Sequence, residues 1–196
     1  MSIIHVIDDD EAVRDAIAFL LAGRGLATRQ HAAAEDFLAL AAAERDGVLV
    51  LDIRMPGLSG IELFHELRRT PPLPPVIFLT GHGDVPLAVE AIRAGAFDFM
   101  EKPFDETAFM TTVEKALSWH ADTRLRQERE KDIARRRASL SDREAEVMAL
   151  MLQDRPNKVI AHELGIAMRT VEVHRARVLA KMGARSLVSL AAMLKG

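Results

Sequence analysis

Up to about residue 101 the chain repeats one alternation five times: a short apolar run, a turn, then a stretch with helical spacing. The strongest run is Val48–Leu51, four apolar residues without polar alternation. A strand with one wet face alternates apolar and polar residues; a strand covered on both faces does not. Further strands are predicted at Ile3–Ile7, Ala27–Gln30 (a weak edge), Val76–Leu79 and Ala96–Met100. Helices are predicted over Glu11–Ala22, Ala34–Ala43, Ile61–Arg69 and Val85–Ala94, with a fifth starting near Asp105. Gly23 and Gly25 end the first, Ser59 caps the third, and the prolines at 71, 72, 74 and 75 stop it. Five βα units in succession leave few folds open, foremost an α/β doubly wound parallel sheet of five strands with helices on both faces.

In such a sheet, ligands gather beyond the carboxyl ends of the strands. The first run ends in Asp8, Asp9 and Asp10, the third in Asp52, and the fourth in Thr80, Gly81, His82 and Gly83; Glu101, Lys102 and Pro103 follow the fifth. A carboxylate at the end of a buried strand is costly unless it is paired, solvated or metal-bound. Carboxylate oxygens suit a hard divalent cation, and Mg²⁺ takes few of them while keeping several waters. Beside such an ion a carboxylate can attack phosphorus and become an acyl phosphate, while the ion and a lysine stabilise the phosphoryl oxygens. Taken singly, Asp10 reads as a helix cap, Thr80 as a turn residue, Lys102 as a solvated charge and His82 as a loop residue. Their convergence at four strand ends is what points to one site.

The rest of the chain differs in charge. Residues 1–117 hold 10 Lys+Arg against 19 Asp+Glu, whereas residues 118–196 hold 16 against 10. An acidic half suited to a cation and a basic half suited to a polyanion imply two domains. The region 118–138, within a stretch free of Gly and Pro, reads either as a solvated helix continuing the fifth or as a charged linker. Residues 139–196 show helix, break, helix, break, helix: Ser141 and Glu144 form a capping box, Asn157 caps Lys158–Leu164, Gly165 turns the chain, and Thr170–Met182 and Leu187–Leu194 follow. The piece around Gly165 has helix-turn-helix spacing. Val159, Ile160, Leu164, Ile166, Val171, Val178, Leu179 and Met182 are its packing positions. That leaves Arg169, Thr170, Glu172, Val173, His174, Arg175, Ala176, Arg177 and Lys181 on the outer, more polar face, with Val173 and Ala176 as small apolar exceptions. Lys158, Thr170, Arg177 and Lys181 suit phosphates, and Glu172 suits cytosine N4; a plain helical bundle with a solvated basic face has the same spacing. The absence of cysteine removes disulfides and thiolate metal sites. No apolar run reaches membrane-spanning length, and the start of the chain turns acidic unlike a secretory leader, so a cytoplasmic location is expected.

The segments VIDDDE, VLVLDIRMPGLSGIEL, VIFLTGHGDVPLAVEAIRAGAFDF and EKPF together resemble a response-regulator receiver domain. LSDREAEVMALM, NKVIAHELGI and RTVEVHRARVLAKMGARSL resemble the four-helix DNA-binding domain of the LuxR/NarL type, and the whole is most similar to the FixJ subgroup. The resemblance implies a CheY-like sheet in the order 2-1-3-4-5 and an all-α second domain. It implies Asp52 as the phosphoryl acceptor, with Asp8, Asp9, Asp52 and the Arg54 carbonyl holding Mg²⁺ and Asp9 favoured for direct contact. Thr80 and Phe99 become switch residues, Lys102 a phosphoryl contact, and Lys102–Pro103 a cis peptide. The partners implied are a sensor histidine kinase, double-stranded promoter DNA, RNA polymerase and a second copy of the chain, joined through residues 85–105. Departures are the run DDDE and AMRT, which stands where a proline often precedes the arginine. On this reading the chain is a transcriptional activator, not an enzyme. One rival is a Mg²⁺-dependent phosphotransferase or phosphatase, although Arg54 stands where such phosphatases often carry a second acid. The other is a receiver whose output half binds RNA or protein.

Overall fold

The computed structural model describes residues 2–81 and 85–195. The chain divides into two compact units, residues 1–124 and 125–196.

In the first unit five parallel strands, β1 (Ile3–Ile7), β2 (Thr28–His31), β3 (Gly47–Asp52), β4 (Val76–Thr80) and β5 (Asp98–Glu101), form one sheet ordered β2-β1-β3-β4-β5. Helices α1 (Glu11–Ala22) and α5 (Glu106–Ala138) cover one face with its core, including Ile17, Leu21, Phe109 and Val113. Helices α2 (Ala34–Leu38), α3 (Gly60–Arg69) and α4 (Val85–Arg93) belong to the other, with Phe37, Leu63, Phe64 and Ala88. The period of two decides which residue faces which layer: Val48 and Val50 join the α1/α5 core, and Leu49 and Leu51 the opposite one. Every residue of β3 is buried, the condition its unbroken apolar run anticipates.

In this unit two elements depart from expectation. The alanine-rich helix expected over Ala34–Ala43 ends at Leu38, and a 3₁₀ turn occupies Ala42–Arg45. The Arg45 guanidinium takes the carbonyls of Leu38 (2.6 Å) and Leu40 (2.9 Å), which a continuing helix would have bonded itself. Strand β5 starts at Asp98 because Ala96 is held by Ala91 in the turn that closes α4. Gly60, the first residue of α3, is required by close approach: a methyl there would overlap the Asp52 carbonyl oxygen. Ser59 and Glu62 cap that helix reciprocally. At the β1–β2 edge, His5 Nδ1 lies 3.1 Å from His31 Nε2, the rings stacked and Phe37 edge-on to both. On α5, Trp119 is 44% exposed, its ring 6.2 Å from that of Phe97.

Residues 118–138 are helical throughout, as part of α5. The second unit contains α6 (Asp142–Leu152), α7 (Asn157–Leu164), α8 (Met168–Met182) and α9 (Leu187–Lys195) around Val147, Met151, Ile160, Val171, Val178, Met182 and Leu190. Gly165 (φ 62°) and Gly183 (φ 68°) end α7 and α8 in the left-handed region. Asn157 is the first residue of α7, not its cap; Pro156 holds that position and offers no side-chain bond. Helix α8 starts two residues earlier than expected, at Met168.

Candidate functional site

Asp8 follows β1 directly, Asp52 ends β3, Thr80 ends β4 and Lys102 follows β5. Sheet order makes these four ends neighbours. The Lys102 ammonium donates to Asp8 Oδ2 and Asp52 Oδ1, each at 2.6 Å. Both carboxylates are buried, and their other oxygens are also engaged. Asp8 Oδ1 accepts from the Asp10 N–H (2.9 Å) and Asp52 Oδ2 from the Arg54 N–H (2.7 Å). Burial pushes the Asp52 carboxyl above its ordinary value; the Lys102 hydrogen bond and charge pull it back, and Asp8 pushes it up again. Burial also works against the Lys102 charge, but its bonds to Asp52 and Asp8 outweigh this and hold it above the ordinary lysine value. One ammonium therefore serves two buried carboxylates and leaves an excess of negative charge.

The other expected residues surround this triad. Thr80 is fully buried and donates from Oγ1 to the Met100 carbonyl at 3.3 Å. Phe99 is half-buried against the α2/α3/α4 core. The Lys102–Pro103 peptide is cis, and the Lys102 N–H donates to the Thr80 carbonyl at 2.7 Å. Asp9 and Arg54 are exposed at the rim. Asp10 is a cap, accepting from the Ala12 N–H at 2.9 Å. His82 and Gly83 lie outside the described residues. Among the described residues, no three His, Asp or Glu side chains form a ready-made metal cage. Mg²⁺ does not need one, because it binds through one or two carboxylates and retained water. The oxygen-only donor set and the excess of negative charge on the Asp8–Asp52 pair fit that ion.

On the second unit, Lys158, Arg169, Thr170, Glu172, Val173 and Arg177 are exposed, and His174 and Arg175 half-buried. Lys181 departs from expectation. Its ammonium lies 2.5 Å from Glu144 Oε2 and 2.9 Å from the Ser139 carbonyl, joining α8 to the start of α6. The hydrogen bond from Lys181 leads the influences that hold Glu144 down at about 2. This lysine ties the unit together instead of presenting a free charge. Arg14 belongs to the site without being marked by any motif: its guanidinium lies across the loop carrying the acidic triplet. The available signal was a basic residue about one helical turn beyond an acidic N-cap. Among the described residues, no helix is long and apolar enough to cross a membrane.

Residues 4–114 match the family model of the response regulator receiver domain, and residues 138–194 that of the bacterial regulatory proteins of the luxR family. The chain is 54% identical over 192 residues to the C4-dicarboxylate transport transcriptional regulatory protein DctR of Rhodobacter capsulatus, covering 97% of this chain and 98% of the relative. It is 47% identical over 190 residues to the transcriptional regulatory protein FixJ of Rhizobium meliloti (strain 1021), covering 97% and 93%. Among solved structures, the response regulator StyR superposes with a TM-score of 0.91 at 39% identity, covering 99% of this chain and 98% of that one.

Proposed function

The chain belongs to the transcriptional response regulators of two-component systems, which join a receiver domain to a LuxR-type DNA-binding domain, and on that premise we propose that phosphorylation of Asp52 controls promoter binding. The observation that carries this reading is the buried Asp52 carboxylate, which shares Lys102 with Asp8 at 2.6 Å. A receiver implies a histidine kinase as donor. An Asp52 oxygen attacks the phosphorus of a phosphoimidazole, the P–N bond breaks, and an acyl phosphate forms on Asp52. A Mg²⁺ ion held by Asp8, Asp9, Asp52 and the Arg54 carbonyl supplies positive charge to the phosphoryl oxygens when bound. Lys102 moves from sharing two carboxylates to contacting the transferred group. Thr80 then turns from the Met100 carbonyl toward the new acceptor oxygens, and Phe99 fills the space it leaves.

Dimerisation uses the surface of residues 85–105, where Leu87 (40%), Val89 (38%) and Ile92 (36%) expose apolar side chains on α4. The dimer meets duplex DNA through Lys158, Arg169, Thr170, Glu172, Val173, His174, Arg175 and Arg177, and recruits RNA polymerase as an activator in the cytoplasm. The full chain is incubated with acetyl phosphate and Mg²⁺, with Asp52→Asn as control. Mass spectrometry reads one added phosphoryl group, light scattering the dimer, and a mobility shift the gain in DNA binding. Modification of the asparagine control, or equal DNA binding with and without the phosphoryl group, counts against the proposal.

A further inference from the structure

The loop between β1 and α1 is pinned by more than its own carboxylates. Arg14, half-buried on α1, donates from one guanidinium nitrogen to the carbonyl of Asp8 (2.7 Å) and to that of Asp9 (3.0 Å). Each carbonyl belongs to one of the two peptide planes flanking Asp9, and peptide units are rigid. Drawing both carbonyls to one nitrogen restrains the soft torsions of Asp9 between them, and with them the direction in which its side chain leaves the chain. The Asp8 carboxylate is set from the other side by the Asp10 N–H and Lys102. Asp9 has an exposed side chain, and among the described residues nothing bonds it, so its direction is set by its backbone.

We infer that Arg14 is a positioning residue whose guanidinium, by clamping the Asp8 and Asp9 carbonyls, sets how those carboxylates are presented to a divalent cation. The inference rests on the metal role proposed above. Charge and geometry here have opposite signs. Removing a cation beside carboxylates strengthens their attraction for a metal. Freeing the loop weakens it, because the ligands must then be ordered at binding. Outer groups that orient metal ligands typically govern affinity by ten- to a hundredfold.

The test uses the unphosphorylated full chain, no phosphoryl donor, and Mn²⁺ as the probe, its free signal followed by electron paramagnetic resonance and competed with Mg²⁺. Arg14→Ala is expected to bind Mn²⁺ about tenfold more weakly than wild type. Arg14→Lys, which keeps the charge on a shorter arm, should fall between them. Faster hydrogen exchange of the Asp9 and Asp10 amides in metal-free Arg14→Ala accompanies the loss, and thermal melting in chelator establishes that each variant is folded. If the alanine variant does not fold, the lysine variant carries the test with the same sign. Unchanged or tighter Mn²⁺ binding in the folded variant overturns the inference. Absence of saturable binding in wild type overturns the metal reading beneath it.

Discussion

Replacing Lys102 with methionine removes the one ammonium that two buried carboxylates share. Both oxygens lie 2.6 Å from the same nitrogen, so they are separated by at most twice that, ~5.2 Å. Two unit charges at that distance repel by about 3 kcal/mol at an effective dielectric of about 20. Breaking a buried pair by removing one partner costs about 3 to 5 kcal/mol in general. Lys102 keeps 25% of its side chain exposed, so water offsets part of the loss and the lower figure applies. Urea unfolding of Lys102→Met at pH 7 should therefore show a loss of about 3 kcal/mol. The loss should shrink on acidification. Asp52 already titrates above its ordinary value of 3.8 in the folded protein, and without Lys102 it titrates higher still. A folded pKa raised above the unfolded one gives stability that is present at low pH and lost as pH rises through the folded value. Mg²⁺ should restore part of the loss at pH 7. A variant as stable as wild type at pH 7, or a deficit that persists unchanged on acidification, would show that Lys102 does not balance these charges.

On the second unit, Arg177→Ala should weaken binding to all duplex sequences and reduce the salt slope by about one, read by anisotropy titrations at several ionic strengths. Glu172→Ala should instead change base preference in a binding selection; an unaltered preference removes it from the base-reading set. Lys181→Met should lower the unfolding midpoint of the second unit while leaving the salt slope intact. Glu144 titrates at about 2 against an ordinary 4.5, so this pair's contribution is complete above about 4.5 and lost as pH falls toward 2. In the variant, that acid-dependent loss should shrink, leaving only the share held by the Ser141 bonds to Glu144. His5, held at about 4 against 6.5 first by burial and then by His31, is neutral when folded. Stability should therefore fall by about 3 kcal/mol between pH 6.5 and 4, and denaturation of His5→Leu should show a flatter profile.

The parallel sheet was legible because its signals are local. Val48–Leu51 is apolar on both faces, and Ser59/Glu62 and Ser141/Glu144 carry their capping partners three residues away. The convergence of Asp8, Asp52 and Lys102 followed from topology, since parallel strands deliver their carboxyl ends to one edge. What escaped depends on contacts that spacing does not encode. The break after Leu38 is made by a guanidinium seven residues on, against a run whose alanine content favours helix. Lys181 looked free on its own helix, yet its partner Glu144 is 37 residues away. His5 and His31 meet only because β1 and β2 pair in one register.

The chain holds one tryptophan and no tyrosine. That single indole, on α5, faces Phe97, the residue leading into β5. Ultraviolet emission from the unlabelled protein thus comes from one address, next to the strand that bears Phe99. A rearrangement of β5 against α5 would alter the quantum yield or colour of that emission, and the molecule would report its own change of state without an attached dye.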